Sequence, residues 1–107
     1  WRAMERLGDE GLVRAIGVSN FDETQLRELM GMARIKPAVN QVELHPLNQQ
    51  PALVAACADM GVVVTAWSPL GKGAAKLMAH PALRGVAAAH PGRTTADVAL
   101  RWNTQRG

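Results

Sequence analysis

The chain has 107 residues, of which 48% are hydrophobic, so it suits one small domain with a modest core. Its formal charge of +3 arises from 12 basic and 9 acidic residues that are interspersed, without the run of like charges typical of nucleic-acid-binding surfaces. No apolar run approaches the ~20 residues needed to span a bilayer. We therefore expect a soluble, cytoplasmic protein that binds neither nucleic acid nor membranes.

An amphipathic helical pattern opens the chain, with Trp1, Met4 and Leu7 on one face. Neither a start methionine nor a capping residue precedes this pattern, and a further strand would be expected after Gly107. We therefore expect that the sequence is truncated at both ends.

Three short β-branched runs follow and predict strands at residues 15–20, 38–45 and 62–68. Each run is followed by a helical pattern or a loop that leads to one. The predicted helices cover residues 22–33, 51–60, 81–89 and 94 or 95 to 105, with a loop rich in glycine and lysine at 71–76. Strands that alternate with helices at this spacing favour a parallel sheet with right-handed crossovers.

Residues typical of helix ends support these bounds. Asp22 can cap a helix with Gln25 three residues on, and Thr94 with Asp97 makes a similar start. The predicted helix at residues 51–60 starts with Pro51 and is followed by Gly61, which is the usual asymmetry of helix ends. Gly107 is predicted to end the last helix.

The second predicted strand alternates in polarity. Gln41, Glu43 and His45 share one face, whereas Val42 and Leu44 share the other. A strand covered by helices on both faces would not alternate in this way. A closed barrel with a polar mouth fits the pattern better than an open sheet does.

Ligands of parallel α/β folds bind at the carboxyl ends of the strands, and polar residues cluster there. Ser19, Asn20 and Gln41 offer hydroxyl and amide groups that both donate and accept hydrogen bonds, which suits a carboxamide. Trp67 offers a flat ring for stacking, and the glycine-bracketed loop beside Lys72 suits a phosphate. The set predicts a site for a nicotinamide dinucleotide.

A structural alternative stays open on spacing alone. In it, Asn40 and Gln41 hydrogen-bond the main chain of the barrel, Trp67 belongs to the core, and Gly71 and Gly73 only turn the chain. Other nucleotide sites are disfavoured, because GKGAAK lacks the spacing of a P-loop and no G-x-G-x-x-G follows a strand.

Metal binding and disulfide chemistry are also disfavoured. The three histidines are far apart in the sequence, which argues against a metal site. Cys57 is the one cysteine and lies in a helical pattern, so we interpret it as a small core residue in a reducing compartment.

Four long motifs carry a resemblance to a known family. The motifs GLVRAIGVSNF, KPAVNQVELHP, VVVTAWSPLGKG and TTADVALRWNTQRG, in this order, resemble the second half of the aldo-keto reductase barrel. The resemblance implies an α/β fold, a partial (β/α)8 TIM barrel with about three parallel βα units of the C-terminal half. Residues 1–107 would form a partial domain. The loop AWSPLGKG looks closest to bacterial members of the 2,5-diketo-gluconate reductase type.

The resemblance also implies roles for individual residues. Ser19, Asn20 and Gln41 would hydrogen-bond the nicotinamide carboxamide of NADPH, and Trp67 would stack on the nicotinamide ring. Five residues after this tryptophan would cover the pyrophosphate: Ser68, Pro69, Leu70, Gly71 and Gly73.

The catalytic residues of the family have no match here. The family uses an Asp, a Tyr, a Lys and a His, with the Tyr as proton donor to the substrate carbonyl, and this chain contains no tyrosine. His45 does not correspond to the catalytic His and is expected to hold its own loop by a hydrogen bond, while Glu43 is expected to have a polar partner.

The resemblance thus implies part of an enzyme that transfers hydride from NADPH to an aldehyde or ketone, and that is inactive as this chain alone. The alternative is a catalytically silent relative that serves regulation or assembly. Neither the carbonyl substrate nor the oligomeric state follows from the sequence.

Overall fold

A computed structural model of the chain describes residues 1–106. Helices and strands alternate in the order α1(Arg2–Asp9), β1(Gly17–Ser19), α2(Glu23–Met32), β2(Val39–Glu43), α3(Pro51–Asp59), β3(Val63–Trp67), a 3-10 turn (Gly71–Gly73), α4(Ala75–Met78), α5(Pro81–Ala88) and α6(Thr95–Thr104). The expected end of the last helix at Gly107 lies outside the described residues. No described helix is both long enough and apolar enough to cross a membrane.

The chain forms two compact units. The first comprises Trp1–Val42 with Gln50–Thr65, and the second comprises Glu43–Gln49 with the chain from Ala66 onward. The boundary falls near the carboxyl ends of β2 and β3, so both strands begin in the first unit and end in the second.

The parallel sheet predicted from the sequence is confirmed. Its order is β1-β2-β3, and β1 pairs with β2 in a register that places Ser19 beside Gln41. The predicted alternation holds in β2, because Val42 is buried and Gln41 is exposed. The carboxyl ends of β1 and β2 therefore present polar side chains next to each other.

The core of the first unit lies between the sheet and helices α2 and α3. Its fully or nearly fully buried members are Leu26, Cys57 and Val62. Helix α2 starts as predicted, since Asp22 accepts the Gln25 N–H at 2.8 Å and Gln25 accepts the Asp22 N–H at 3.0 Å. This reciprocal cap satisfies main-chain donors that the first turn of a helix leaves without partners.

The second unit has its own small core of Leu77, Leu83 and Ala99. Helix α6 begins with the predicted cap, in which the Thr94 N–H donates to Asp97 at 2.7 Å. The sequence missed helix α4, which begins within the predicted loop and extends two residues beyond it, because four residues are too few to show a periodic pattern.

Helix α1 is held by a buried carboxylate, and on its apolar face Trp1 and Leu7 are half-buried. Met4 is 39% exposed, whereas Glu5 is 9% exposed. Glu5 Oε1 accepts the main-chain N–H of Arg34 at 2.8 Å and that of Ile35 at 2.9 Å. These bonds tie α1 to the segment that leads into β2.

The hydrogen bond from Ile35, and secondarily that from Arg34, holds the pKa of Glu5 below its ordinary value of 4.5 against the opposing effect of burial. A carboxyl with a lowered pKa in the folded state stabilises the protein above its ordinary pKa. This stabilisation is lost as the pH falls through the lowered value, because the carboxyl must then be protonated.

We therefore expect Glu5→Gln to lower the melting temperature of the full gene product most at neutral pH. The difference from the parent protein should shrink as the pH falls below about 4.5. Thermal unfolding, followed by circular dichroism at about four pH values between 3 and 7, measures this difference. Glu28→Gln, an exposed substitution on α2, is the control and should have little effect; equal curves for Glu5→Gln and Glu28→Gln would refute the assignment.

Candidate functional site

The three residues predicted to bind a carboxamide, Ser19, Asn20 and Gln41, lie together in the first unit. Ser19 and Gln41 are register partners at the carboxyl ends of β1 and β2. The Gln41 main-chain oxygen accepts the Ser19 hydroxyl at 2.8 Å and the Asn20 N–H at 2.9 Å. One carbonyl thus fastens both Ser19 and Asn20 to the end of β2.

These hydrogen bonds determine what each group can offer a ligand. Because the Ser19 hydroxyl donates its proton to the Gln41 oxygen, its own oxygen keeps lone pairs that can accept a hydrogen bond. The Gln41 side chain is exposed and its amide can both donate and accept. The pair therefore matches a group that carries both an N–H donor and a carbonyl acceptor, as a carboxamide does.

Asn20 has a left-handed main chain, with φ of 57°. This conformation is uncommon for a residue other than glycine and persists where the surrounding structure enforces it. Such conformations concentrate at functional sites, which agrees with the placement of Asn20 at the end of β1.

Asn40 is a residue of this region for which the sequence suggested only a structural role, and the structure confirms that role. It is fully buried, and its side-chain amide hydrogen-bonds the main chain of Phe21. The amide therefore fastens the residue that directly follows Asn20.

The predicted pyrophosphate loop lies in the second unit and is built from left-handed residues. Ser68 has φ of 50° and Lys72 has φ of 58°, with Gly71 at 59° and Gly73 at 72°. The Gly71 N–H donates to the Ser68 carbonyl at 2.7 Å, and the Gly73 N–H donates to the Leu70 carbonyl at 3.0 Å. The loop therefore consists of two tight, hydrogen-bonded turns.

Two observations show that this loop packs closely on the core of the second unit. Leu70 packs against the core of the second unit, and a Cβ added to Gly71 would lie 3.1 Å from Leu77 Cδ2. Together with its positive φ, this close approach makes glycine the residue that fits at position 71. The remaining predicted residue of the loop, Pro69, is half-buried between Ser68 and Leu70.

Trp67 is half-buried at the end of β3, and the Lys72 ammonium lies 5.4 Å from the centre of its ring. This distance is within the range of a cation–π interaction. Since Lys72 belongs to the predicted loop, an aromatic surface and a cation lie together there.

His45 holds its own loop, as predicted. Its Nδ1 accepts the Leu47 N–H at 3.3 Å, and its main chain pairs with that of Asn48. Because Nδ1 accepts, the proton of the neutral ring belongs to Nε2, which lies 3.5 Å from Glu43 Oε1. The expected polar partner of Glu43 is therefore His45.

Cys57 is a core residue, as predicted, and not a nucleophile. Burial raises the pKa of its thiol, and a hydrogen bond from Asn40 only partly opposes this effect. Within residues 1–106, no group of three or more histidine, cysteine, aspartate or glutamate residues could hold a metal ion.

The sequence and the structure both match known proteins closely. The model of the Aldo/keto reductase family matches residues 1–107. The chain is 47% identical over 107 residues to Aldose reductase B of Dictyostelium discoideum, covering all of this chain and 34% of that protein. It is 46% identical over 119 residues to the NAD(P)H-dependent D-xylose reductase xyl1 of Hypocrea jecorina, covering all of this chain and 36% of that protein.

Among solved structures, the aldose reductase from Schistosoma japonicum superposes with a TM-score of 0.91 at 40% identity, covering 99% of this chain and 34% of that one. The chain thus spans about a third of the length of these relatives. The likeness to the 2,5-diketo-gluconate reductase type stays a prediction. Because the family match runs over the whole sequence, the chain belongs to the aldo/keto reductase family, whose barrel fold its three parallel strands share.

Proposed function

We propose that the chain is part of an NADPH-dependent oxidoreductase that reduces an aldehyde or a ketone, and that residues 1–107 are a partial domain which supplies contacts to the nicotinamide and the pyrophosphate. NADPH, when bound, supplies the hydride that forms the new C–H bond of the alcohol. The family match supports the reaction class. The narrower choice of NADPH over NADH rests on the resemblance.

One observation carries the proposal: the Gln41 main-chain oxygen accepts both the Ser19 hydroxyl and the Asn20 N–H. The result is a compact set of polar groups at the carboxyl ends of two parallel strands, where ligands of such folds bind. Hydrogen bonds from a rigid strand end can fix the rotation of a planar carboxamide, which in turn fixes the face of the attached ring.

Each of these residues has a distinct role in the proposed site. The Ser19 oxygen accepts an N–H of the carboxamide, because its own proton is already donated to Gln41. The exposed Gln41 amide and the Asn20 side chain complete the hydrogen bonds to the same group. Trp67 stacks on the nicotinamide ring and leaves the opposite face for the substrate.

The loop after Trp67 covers the pyrophosphate in this proposal. Its left-handed turns hold the main chain in one conformation, so little conformational entropy remains to be lost on binding. The loop residues with this role are Ser68, Pro69, Leu70, Gly71 and Gly73.

By the resemblance, the proton donor to the carbonyl oxygen is a tyrosine, and the sequence contains none, so in this proposal the proton comes from outside these residues. We accordingly propose that the chain alone does not reduce carbonyls. The proposed partner is a small carbonyl compound, with no nucleic acid or membrane partner. We also propose a cytoplasmic location, because the single cysteine is a buried free thiol.

Gln41→Ala in the full gene product is expected to weaken NADPH binding about fivefold, since a hydrogen bond is worth about 1 kcal/mol and a tenfold change in Kd corresponds to about 1.4 kcal/mol. Titration of NADPH, followed by its fluorescence, measures the Kd. Gln105→Ala, which removes an exposed amide at the end of α6, is the matched control and should bind as the parent does.

Assays of the unsubstituted full gene product, called the parent here, distinguish the candidate functions. Carbonyl-dependent oxidation of NADPH supports the enzyme, whereas NADPH binding without any turnover across aldehydes and ketones would identify the catalytically silent alternative. A parent protein that binds neither NADPH nor NADH would overturn the proposal. Tighter binding of NADH than of NADPH would overturn the choice of cofactor only.

A further inference from the structure

Asn40 is a buried polar residue on an otherwise apolar face of β2. Its side chain is 0% exposed, and it shares this face with Val42 and Leu44, which are also buried. A buried amide is unfavourable unless its donors and acceptors find partners. The partners of Asn40 therefore identify its role.

The Asn40 amide makes two hydrogen bonds to the main chain of a single residue. The Phe21 N–H donates to Asn40 Oδ1 at 3.3 Å, and Asn40 Nδ2 donates to the Phe21 carbonyl at 2.9 Å. Nδ2 also lies 4.0 Å from Cys57 Sγ. Since the ladder between β1 and β2 ends at the pair Ser19 and Gln41, the Asn40 amide extends the pairing of the two segments to Phe21.

Asn20 is consequently held on both sides. Its own N–H donates to the Gln41 carbonyl, and the peptide groups on either side of Phe21 are bound to Asn40. The left-handed main chain of Asn20 could relax only by rotating one of these peptide groups, which would break at least one of the hydrogen bonds. The orientation of Asn20 thus depends on the Asn40 amide.

We propose that Asn40 is a positioning residue for the nicotinamide carboxamide, and that it acts through the main chain of Phe21 on Asn20. This inference rests on the proposed function. Asn40 itself touches no cofactor, because its side chain lies on the buried face of β2 while Gln41 is on the exposed face. Its loss should therefore affect only ligands that carry the nicotinamide.

The test uses Asn40→Leu, which keeps the number and branching of the side-chain non-hydrogen atoms and removes both hydrogen bonds to Phe21. Two ligands are compared in the full gene product: NADPH, and 2′-phospho-ADP-ribose, which lacks the nicotinamide. The Kd for NADPH should rise about five- to thirtyfold, as for the loss of one to two net hydrogen bonds. The Kd for 2′-phospho-ADP-ribose should change less than about twofold, which is within 0.5 kcal/mol.

Cys57→Ala is the matched control. It removes the Sγ atom, which lies 4.0 Å from Asn40 Nδ2 in the same part of the core, and leaves the bonds to Phe21 in place. A purely structural role for Asn40 predicts that both variants change the two Kd values in the same ratio. Selective loss of NADPH affinity in Asn40→Leu alone supports positioning.

The outcomes distinguish this inference from the proposed function. If the parent binds NADPH and Asn40→Leu binds it equally well, the inference is wrong and the proposed function stands. An equal loss for both ligands in Asn40→Leu also overturns the inference. A parent that does not bind NADPH overturns both.

A measurement on the unaltered protein covers the case in which Asn40→Leu does not fold. The proton and nitrogen resonances of the Asn40 side-chain amide should shift when NADPH binds and stay in place when 2′-phospho-ADP-ribose binds. The buried site keeps these protons from exchanging rapidly with water, so they can be observed by NMR. Unchanged resonances with NADPH would overturn the inference.

Discussion

Replacing Gly17 by alanine is expected to destabilise the protein by about 3 kcal/mol, the upper end of the usual range for overpacking, because β1 and β2 approach too closely there for a side chain. A Cβ on Gly17 would lie 2.3 Å from Val39 Cγ1 and 2.6 Å from the Val39 main-chain oxygen. The valine side chain can rotate away, but the oxygen can move only if the strands separate. Unfolding in denaturant, compared with the parent, measures the loss.

Two variants make this prediction specific. Gly17→Ala combined with Val39→Ala should recover only part of the lost stability, since the clash with the main-chain oxygen remains. Gly31→Ala is the matched control: no atom lies within 4 Å of the added Cβ in helix α2, so stability should rise by about 0.4–1 kcal/mol. Unfolding of Gly17→Ala at the same denaturant concentration as the parent would show that the strands are farther apart.

The clash also connects the fold to the proposed site. Gly17 lies two residues before Ser19 on the same strand, and the register pairs these residues with Val39 and Gln41. Any separation of β1 from β2 at Gly17 would therefore lengthen the hydrogen bonds that fasten Ser19 and Asn20 to the Gln41 oxygen. The small residue at position 17 would therefore support the geometry of the proposed site from two residues away on the same strand.

Local signals in the sequence were sufficient for the order and type of most elements. The start of α2 followed from Asp22 and Gln25, and the start of α6 followed from Thr94 and Asp97, because a capping box involves only neighbours in sequence. The parallel sheet followed from the alternation of strands and helices. Helix α4 was missed because one turn carries no period.

The contacts that shape the site could not be read from local patterns. Glu5 binds main-chain groups 29 and 30 residues away, so its burial in an amphipathic helix had no local signal. The left-handed conformations of Asn20, Ser68 and Lys72 are equally hidden, since in the sequence such a conformation is signalled by glycine. A left-handed main chain at a non-glycine residue becomes visible only in the structure.

The environment of Asn40 could be predicted from the sequence only in part. The period of two along β2 already placed it on the face of Val42 and Leu44, so a buried and hydrogen-bonded amide could be predicted. Its partner, Phe21, lies 19 residues away and depends on the register of β1 against β2. The convergence of the Gln41 and Trp67 groups on one ligand stays a prediction, which the cofactor titrations test.

Leu26→Ala is expected to cost about 2–5 kcal/mol, the range for truncating a buried leucine, because it leaves a cavity in the core of the first unit. Leu26 is 0% exposed and packs with Cys57 and Val62, and Val18 and Phe21 pack against the same cluster. These last two residues flank the Ser19 and Asn20 segment. The cavity would therefore remove apolar support from beneath the proposed carboxamide site.

Guanidinium unfolding of Leu26→Ala against Met32→Ala tests this assignment within one helix. Met32 is 73% exposed on α2, so its truncation should change stability by less than about 0.5 kcal/mol. Because both variants shorten a large apolar side chain, their difference isolates burial from helix propensity. Equal midpoints would mean that α2 does not pack through its Leu26 face, and the support of Phe21, through which Asn40 is proposed to act, would then be misplaced.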